Sequence, residues 1–370
     1  MLRRLCVLLV ASGALLLSAG IGLLSADWPF LHRVWQVPVD RADWRAVVPT
    51  PVATIDGGGS AFFPSATGDE RTIDPAALAD ALAWAQSNGS AALLVLHADR
   101  LQLERYWQGL ARDTLYPVLG ASRSLLGVAF GFAEADGLID SLDAPVERWL
   151  SGWRDEARGA ITLRELLWNV SGLEVADATQ WPGRLGRSGR LLYGTATERA
   201  ALSFGSVHEA GTYFALSPVD AELLAIVLER ASGVRYETYI ARSLWRAIGA
   251  GVAGFSLDRR GGRAVAFDGL RAAPGDLLRL GALLANDGRV AGRAVLPPGW
   301  VADLSRGSMP NPEFGLDAWS FADHRLRLSG DGRVIWILPD DRLVIVRLGP
   351  ATPGWDSADL PDIVRRGLHR

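Results

Sequence analysis

The residues that could do chemistry are concentrated in a short turn, residues 118–124, with the sequence VLGASRS. This turn opens onto an apolar, helix-like run that ends at Gly137. Several hydrolase folds place a nucleophile where a small-residue turn meets a buried helix. Ser122 and Ser124 are the hydroxyl groups that such a site offers, and Arg123 stands between them. Either serine would need a base beside it to become a nucleophile.

That base is not a lysine, because all 38 lysine-or-arginine positions of the chain are arginine. A guanidinium group stays protonated in proteins, so no basic side chain here can act as a neutral amine. The five histidines are scattered without paired spacing, and Cys6 is the single cysteine, so we expect no metal site, no cofactor and no intramolecular disulfide. A Ser-His-Asp triad assembled from distant positions stays open, although there is no G-x-S-x-G motif to support one.

The composition indicates a globular protein, since 49% of the 370 residues are hydrophobic and 21% are charged. The formal net charge of −3 provides no basic field, which excludes nucleic acid as an expected partner. The sequence does not indicate an oligomeric state.

Residues 5–26 follow Arg3 and Arg4 and carry no charge. As a helix this segment would rise about 33 Å, enough to cross the ~30 Å hydrocarbon core of a bilayer. We therefore predict that residues 1–26 are an uncleaved single-pass anchor in the inner membrane, with the arginines cytoplasmic and the main domain exported to the periplasm. The alternative is a signal peptide cleaved near the small residues 18–20, which would give a secreted protein.

Residues 27–73 contain tryptophan, proline and glycine, and they predict an irregular linker before a main domain over residues 74–370. Asp74 is the expected N-cap of the first helix of that domain, with Pro75 in its first turn. A hairpin is predicted over residues 91–107 and three strands over residues 325–349. Because strands lie at both chain ends and helices fill the middle, we predict an α+β fold. It has one antiparallel sheet built from both ends, flanked by helices, with a helical insertion.

Several short sequence motifs follow one another in a defined order along the chain. They include ASRSLLGVAFGFAEADG, ITLRELLWNVSGLE, GTYFALSPVDAELL, FDGLRAAPGDLLRLGALL, FGLDAW and GRVIWILPDDRLVIV. The ordered set resembles the β-lactamase-related serine hydrolases, which include class C β-lactamase-like esterases, penicillin-binding-type peptidases and 6-aminohexanoate-dimer hydrolases. The resemblance covers roughly residues 74–365 and implies a β-lactamase/transpeptidase-like fold.

The resemblance also implies three catalytic elements. These are Ser-x-x-Lys at the start of a buried helix, Tyr-x-Asn or Ser-x-Asn on a loop, and a Lys/His-x-Gly-type strand beside the oxyanion hole. In this register Gly120 stands at the nucleophile position and Arg123 at the lysine position. In the second element Leu216 replaces the tyrosine and Pro218 the asparagine. The resemblance therefore implies a family member whose catalytic motifs are degenerate.

The third element has no unique alignment, because the strand LRLSGDGRVIW contains no Lys/His-x-Gly. Its candidates are Ser329, Gly330 and Arg333. The residues predicted to line a binding cleft are Gly120, Ser122, Arg123, Leu216, Ser217, Ser329, Gly330 and Arg333.

Three functions compete at this point. The first is a membrane-anchored pseudoenzyme in which Arg123 presents a fixed cation to a carboxylate-bearing small molecule or peptide. The second is an active serine hydrolase for an ester or amide, with its nucleophile relocated to Ser122, Ser124 or Ser217. The third is a purely structural envelope protein whose cleft is filled by its own side chains.

Overall fold

A computed structural model describes residues 27–37, 48–59, 63–178, 181–351 and 357–369. The helices are α1 Trp28–Gln36, α2 Pro75–Ser87, α3 Ser124–Ala135, α4 Leu163–Leu167, α5 Arg187–Tyr193, α6 Thr197–Leu202, α7 Pro218–Ser232, α8 Tyr236–Ile240, α9 Pro274–Ala285, α10 Trp300–Ser305 and α11 Asp359–Arg366. The strands are β1 Val52–Asp56, β2 Ala92–His97, β3 Arg100–Tyr106, β4 Tyr116–Pro117, β5 Val252–Ser256, β6 Leu270–Ala272, β7 Arg289–Val290, β8 Arg293–Ala294, β9 Trp319–Ser320, β10 Leu326–Gly330, β11 Arg333–Leu338 and β12 Leu343–Leu348.

The larger sheet is antiparallel and has the strand order β3-β2-β12-β11-β10-β9. The hairpin β2–β3 turns at Ala98 and Asp99, both of which have positive φ. Strand β2 pairs with β12, so that Val95 lies opposite Ile345 and the two chain ends meet in the middle of the sheet. This arrangement confirms the predicted sheet built from both ends.

Both faces of this sheet are covered. Alternate side chains of β12 point to opposite faces and so pack in two different hydrophobic cores. Leu343 and Ile345 pack in a cluster with residues of α2 and α11, whereas Val344 and Val346 belong to the main core, where α9 packs on β12. Every residue of β12 is buried as a result, which explains a sequence that is apolar except for Arg347, whose guanidinium donates to Ser90 and to backbone carbonyl oxygens.

The helical insertion lies between the strands of the two chain ends, and α3 and α7 form its centre. Helix α7 begins at Pro218 and is capped by Ser217, whose hydroxyl accepts a hydrogen bond from the backbone N–H of Asp220 at 3.3 Å. It ends at Gly233, where φ is +71°. The predicted cap of α2 is confirmed, because the Asp74 carboxylate accepts from the N–H of Ala76 at 2.8 Å.

The structure differs from the irregular linker predicted for residues 27–73. Helix α1 is fixed to the domain by Arg33, whose guanidinium donates to the carbonyl oxygens of Tyr193, Gly194 and Asp258. Strand β1 pairs with β5 in a second sheet of order β1-β5-β6-β4. Both elements are short and depend on partners far along the chain, so local sequence patterns give little sign of them.

Among the residues described above, no helix has both the length and the hydropathy needed to cross a bilayer. The predicted anchor, residues 1–26, lies outside the described part of the chain.

Candidate functional site

The turn that carries the predicted nucleophile position is a 3₁₀ segment, Leu119–Arg123, which leads directly into α3. Leu119 has a φ of +47°, a left-handed conformation that a leucine rarely adopts. Helix α3 is buried from Ser124 to Ala133, so the turn is held against the core at a defined place. Gly120 lies in this turn and faces a cleft without a side chain.

The end of strand β10 lies directly against this turn. A Cβ atom added to Gly330 would lie 2.5 Å from the Cα of Gly120 and 2.6 Å from the backbone nitrogen of Ala121, so only glycine fits there. A Cβ added to Gly120 would be less crowded, at 3.3 Å from the Cα of Gly330, which is a tight contact, and 3.5 Å from Oδ2 of Asp331, which is an ordinary one. A small side chain at position 120 therefore requires only a slight shift of Gly330, whereas one at position 330 would collide with the turn.

Two glycines of α3 bring a distant carboxylate to the same place. A Cβ on Gly127 would lie 2.0 Å from the carbonyl oxygen of Leu316, and one on Gly131 would lie 2.7 Å from the ring of Trp300. Because Gly127 and Gly131 have no Cβ atoms, α10 and the segment that follows it can pack closely on α3. The indole N–H of Trp300 donates to the carbonyl oxygen of Gly127 at 3.1 Å in this contact. The residue that follows Leu316 is Asp317, and it reaches the start of α3.

Arg123 is bound by an ion pair and a hydrogen bond within the protein. Its Nε donates to Oδ1 of Asp317 at 2.8 Å, and its Nη2 donates to Oδ1 of Asn169 at 2.5 Å. The amide of Asn169 also donates to Oδ1 of Asp317 at 3.1 Å. The side chain of Asp317 is fully buried and Arg123 is 8% exposed, so the charge of the arginine is neutralised inside the cleft wall.

A second buried carboxyl group lies behind this pair. Oδ1 of Asp220 accepts a hydrogen bond from the hydroxyl of Ser171 at 2.8 Å. Burial raises the pKa of Asp220 to about 8, although the Ser171 hydrogen bond and the Arg123 charge oppose the shift. Burial also raises the pKa of Asp317, against the attraction of Arg123. With one arginine beside two carboxyl groups, the ion pair with Arg123 favours the ionised form of Asp317, and burial favours the protonated form of Asp220.

Leu216, at the tyrosine position of the second motif, lies on the cleft rim with 43% of its surface exposed. It directly precedes Ser217, the cap of α7. Its side chain carries no proton to exchange with a substrate. At these three predicted positions, Gly120, Arg123 and Leu216, the side chains supply neither a nucleophile nor a neutral base.

The cleft has a volume of about 680 Å³, within the usual size of small-molecule sites. Four carboxylates, Asp177, Asp268, Asp317 and Asp331, line it against the two guanidinium groups of Arg123 and Arg184. Its other lining residues are Gly120, Ser124, Ala176, Ala178, Leu192, Tyr193, Leu216, Pro218, Phe267, Phe314, Trp319, Ser329 and Gly330.

Comparison with known proteins decides the family. A family model described as beta-lactamase matches residues 75–366. The chain belongs to the beta-lactamase family. It is 24% identical over 306 residues to a 6-aminohexanoate-dimer hydrolase of Paenarthrobacter ureafaciens, covering 74% of this chain and 78% of that protein.

Solved structures of this family share the fold. A Bacillus anthracis protein provisionally named a 6-aminohexanoate-dimer hydrolase superposes with a TM-score of 0.71 at 18% identity, over 86% of this chain and 90% of the other. FmtA from Staphylococcus aureus superposes with a TM-score of 0.62 at 13% identity, over 84% and 93% of the two chains. The predicted β-lactamase/transpeptidase-like architecture is confirmed.

Within this beta-lactamase family scaffold, the structure brings five of the residues predicted for the cleft together. They are Gly120, Arg123, Leu216, Ser329 and Gly330.

The other three are placed elsewhere, which corrects their predicted position in the cleft lining. Ser122 is fully buried and its hydroxyl accepts from the N–H of Leu270 at 3.2 Å, while Ser217 caps α7. Arg333 donates from Nε to the carbonyl of Pro117 at 3.1 Å and from Nη1 to the backbone carbonyl of Asp331.

Sequence reasoning missed the residues that set the electrostatics of this beta-lactamase-like cleft. Asn169 and Asp317 lie in the stretches ITLRELLWNVSGLE and FGLDAW, which carried the resemblance but received no role. Asp268 and Asp331 lie in FDGL and SGDG. The signal was present, since each is a polar residue inside a motif that flanks the cleft, but the pairing with Arg123 needed the three-dimensional structure.

Proposed function

We propose that this beta-lactamase family member is an exported, membrane-anchored protein that binds a ligand in the cleft and forms no acyl-enzyme. The ion pair between Arg123 and Asp317 beside Gly120 carries this proposal. A lysine in that place would exchange a proton with a serine at position 120, whereas this arginine keeps its proton and its carboxylate partner. The residues around this ion pair nevertheless form an open cleft of about 680 Å³ in which a ligand could bind.

The charges in the cleft favour a ligand with a positively charged end. Four carboxylates and two guanidinium groups line it, so the formal charge of the lining is negative even though Asp177, Asp268 and Asp331 have partners within the protein. Arg123 is paired with Asp317, and Arg184 donates to the carbonyl oxygens of Val34 and Val37. A carboxylate ligand on Arg123, as predicted from the sequence, would have to compete with Asp317. It is therefore the competing proposal, and an amine-bearing ligand is the preferred one.

The 6-aminohexanoate dimer named for the Paenarthrobacter relative carries both an amine and a carboxylate, and it offers a matched test. We would measure calorimetric binding of the linear dimer, of its N-acetyl derivative and of its C-terminal amide. We expect the N-acetyl derivative, which lacks the charged amine, not to bind. The C-terminal amide, which keeps the amine, should bind as the dimer does. The reverse pattern would reject the amine-bearing ligand and favour Arg123 as the contact.

Variants locate the contact. Asp331→Asn is expected to weaken binding of the dimer roughly tenfold, about 1.4 kcal/mol, because it removes one carboxylate beside Gly120. Asp340→Asn, at an exposed carboxylate in the turn between β11 and β12, is the control and should bind as the wild type does. Equal affinities for the two variants would place the ligand outside this cleft.

An active hydrolase is the second candidate, because two serines, Ser124 and Ser329, line the cleft. Of the nucleophiles predicted earlier, Ser122 and Ser217 have hydroxyls that hydrogen-bond backbone N–H groups away from the lining. A fluorophosphonate or penicillin probe separates the two proposals. Stoichiometric acylation of Ser124 or Ser329, or release of 6-aminohexanoate from the dimer, would establish the hydrolase and end the pseudoenzyme proposal.

A purely structural role is the least supported of the three. It required the cleft to be filled by the protein's own side chains, whereas a space of about 680 Å³ adjoins Gly120.

For the location, we propose that residues 5–26 attach the domain to the inner membrane. The support is the uncharged run behind Arg3 and Arg4, which is long enough to span a bilayer. Flotation of the full chain with membranes and the mass of its mature N-terminus test this. A mature protein that starts after residue 20 and stays in the soluble fraction would favour the secreted alternative.

A further inference from the structure

Helix α1 has two apolar faces, and only one of them is covered. Phe30 and Val34 face inward and are buried in a small cluster with Ala178 and Tyr193. Trp28, Leu31 and Trp35 follow the spacing i, i+3, i+7 and form one stripe on the outer face. Their exposed fractions are 55%, 37% and 85%.

A neighbouring loop with two more exposed apolar side chains lies against the same helix. Arg184 donates to the carbonyl oxygens of Val34 and Val37 at 3.1 and 2.7 Å, and its guanidinium lies 5.7 Å from the ring centre of Trp181. These contacts hold the loop against the end of α1.

Trp181 and Leu185 of this loop are 52% and 45% exposed. We name the set Trp28, Leu31, Trp35, Trp181 and Leu185 the tryptophan patch. Within the described part of the chain, it contains every tryptophan that is more than half exposed.

The position of the patch in the chain indicates what covers it. Helix α1 starts at Trp28, and only its N-cap Asp27 separates it from the uncharged residues 5–26. Tryptophan is enriched where a protein meets the lipid headgroups, because its ring is apolar and its N–H can bond to polar groups.

We propose that the tryptophan patch lies in the headgroup layer of the membrane to which residues 5–26 attach the domain. This rests on the proposed membrane attachment. Tyr193 packs against α1 and also lines the cleft, as does Ala178. Docking of the patch therefore fixes the orientation of the cleft relative to the lipid surface.

Site-directed spin labelling of the full chain tests this directly, because Cys6 is the only cysteine. In a Cys6→Ala background, a nitroxide is attached at Trp35→Cys or, as the control, at Met309→Cys, which is 97% exposed in another segment. The protein is placed in vesicles of phosphatidylcholine and phosphatidylglycerol. Accessibility of each label to lipid-soluble oxygen and to a water-soluble nickel complex is then compared.

We expect oxygen to reach the label at position 35 more readily than nickel, and the opposite at position 309. A protein that floats with the vesicles but has a nickel-accessible label at position 35 would overturn the docking and leave the attachment intact. Failure to float would overturn both. Spin–spin broadening at position 35 that increases with protein density would assign the patch to a second copy of the chain and reject the lipid contact.

Discussion

Nε of Arg123 and Oδ1 of Asp317 are 2.8 Å apart, although 194 positions separate the two residues in the chain. This contact determines the chemistry of the cleft. It holds a permanently protonated group at the position that the sequence resemblance assigns to a lysine, and the buried carboxylate neutralises that group. The substitution at position 123 is therefore part of a formed buried network that includes Asn169.

Arg123→Ala should destabilise the protein by about 3–5 kcal/mol, because it leaves the Asp317 carboxylate buried without its ion partner. Guanidinium unfolding of the purified protein measures this. Arg306→Ala is the matched control, since its ion pair with Asp303 at 2.7 Å is exposed and should contribute less than ~1 kcal/mol. Similar losses in the two variants would mean that the Arg123 pair is not a buried one.

The two glycines of the cleft floor should respond differently to the same added methyl group. Gly330→Ala is expected to destabilise by about 3 kcal/mol, because its Cβ would collide with the backbone of Gly120. Gly120→Ala should change the free energy of unfolding by less than ~1 kcal/mol, since its nearest neighbour is at 3.3 Å. Thermal unfolding of both variants decides the point, and the reverse order would show that the strand and the turn are not in this contact.

Restoring the motif should restore acylation. The triple variant Gly120→Ser, Arg123→Lys, Leu216→Tyr is expected to be labelled by a fluorophosphonate probe at position 120. Its hydrolysis of an activated ester should rise roughly 10²-fold over the wild type, since nucleophile and base are then both present. The double variant Arg123→Lys, Leu216→Tyr lacks only the nucleophile and should stay unlabelled. Labelling of the double variant would point to another serine as the reactive group.

Local patterns were sufficient to predict the larger sheet, and the resemblance to a known family located five of the residues that line the cleft. The hairpin at residues 91–107 and the cap at Asp74 depend on neighbours in sequence, and the ordered motifs located Gly120, Arg123 and Leu216. The sequence also correctly placed strands at both chain ends and helices between them.

The partners of the cleft residues required the fold. Nothing in the sequence distinguishes Asp317 from the other acidic residues as the one that reaches Arg123. That pairing depends on the close packing of residues 300–316 on Gly127 and Gly131. The cleft role assigned to Ser122 was wrong for a similar reason, because its hydroxyl meets a backbone N–H of strand β6, 148 residues away.

The protonated state of Asp220 predicts an unusual dependence of stability on pH. An aspartate in the unfolded chain loses its proton near pH 3.8, whereas folded Asp220 keeps its proton up to about pH 8. Between these values the native state binds the extra proton, so the free energy of unfolding falls as the pH rises. Its slope is at most about 1.4 kcal/mol per pH unit for one proton. Above about pH 8 this contribution becomes constant.

Asp220→Asn should remove this part of the slope, because the amide resembles the neutral acid and can still accept from Ser171. Unfolding by guanidinium at a series of pH values from 5 to 8 measures the difference between variant and wild type. Glu222, whose pKa burial raises to about 7, adds a similar slope to both proteins and cancels in the comparison. Asp143→Asn is the control, because the hydrogen bond from Arg164 lowers the pKa of that exposed carboxyl group. Its contribution to the pH dependence of stability therefore lies at acid pH, below the range measured. If Asp220→Asn leaves the slope unchanged, Asp220 is ionised in the folded protein and Arg123 must balance two carboxylates.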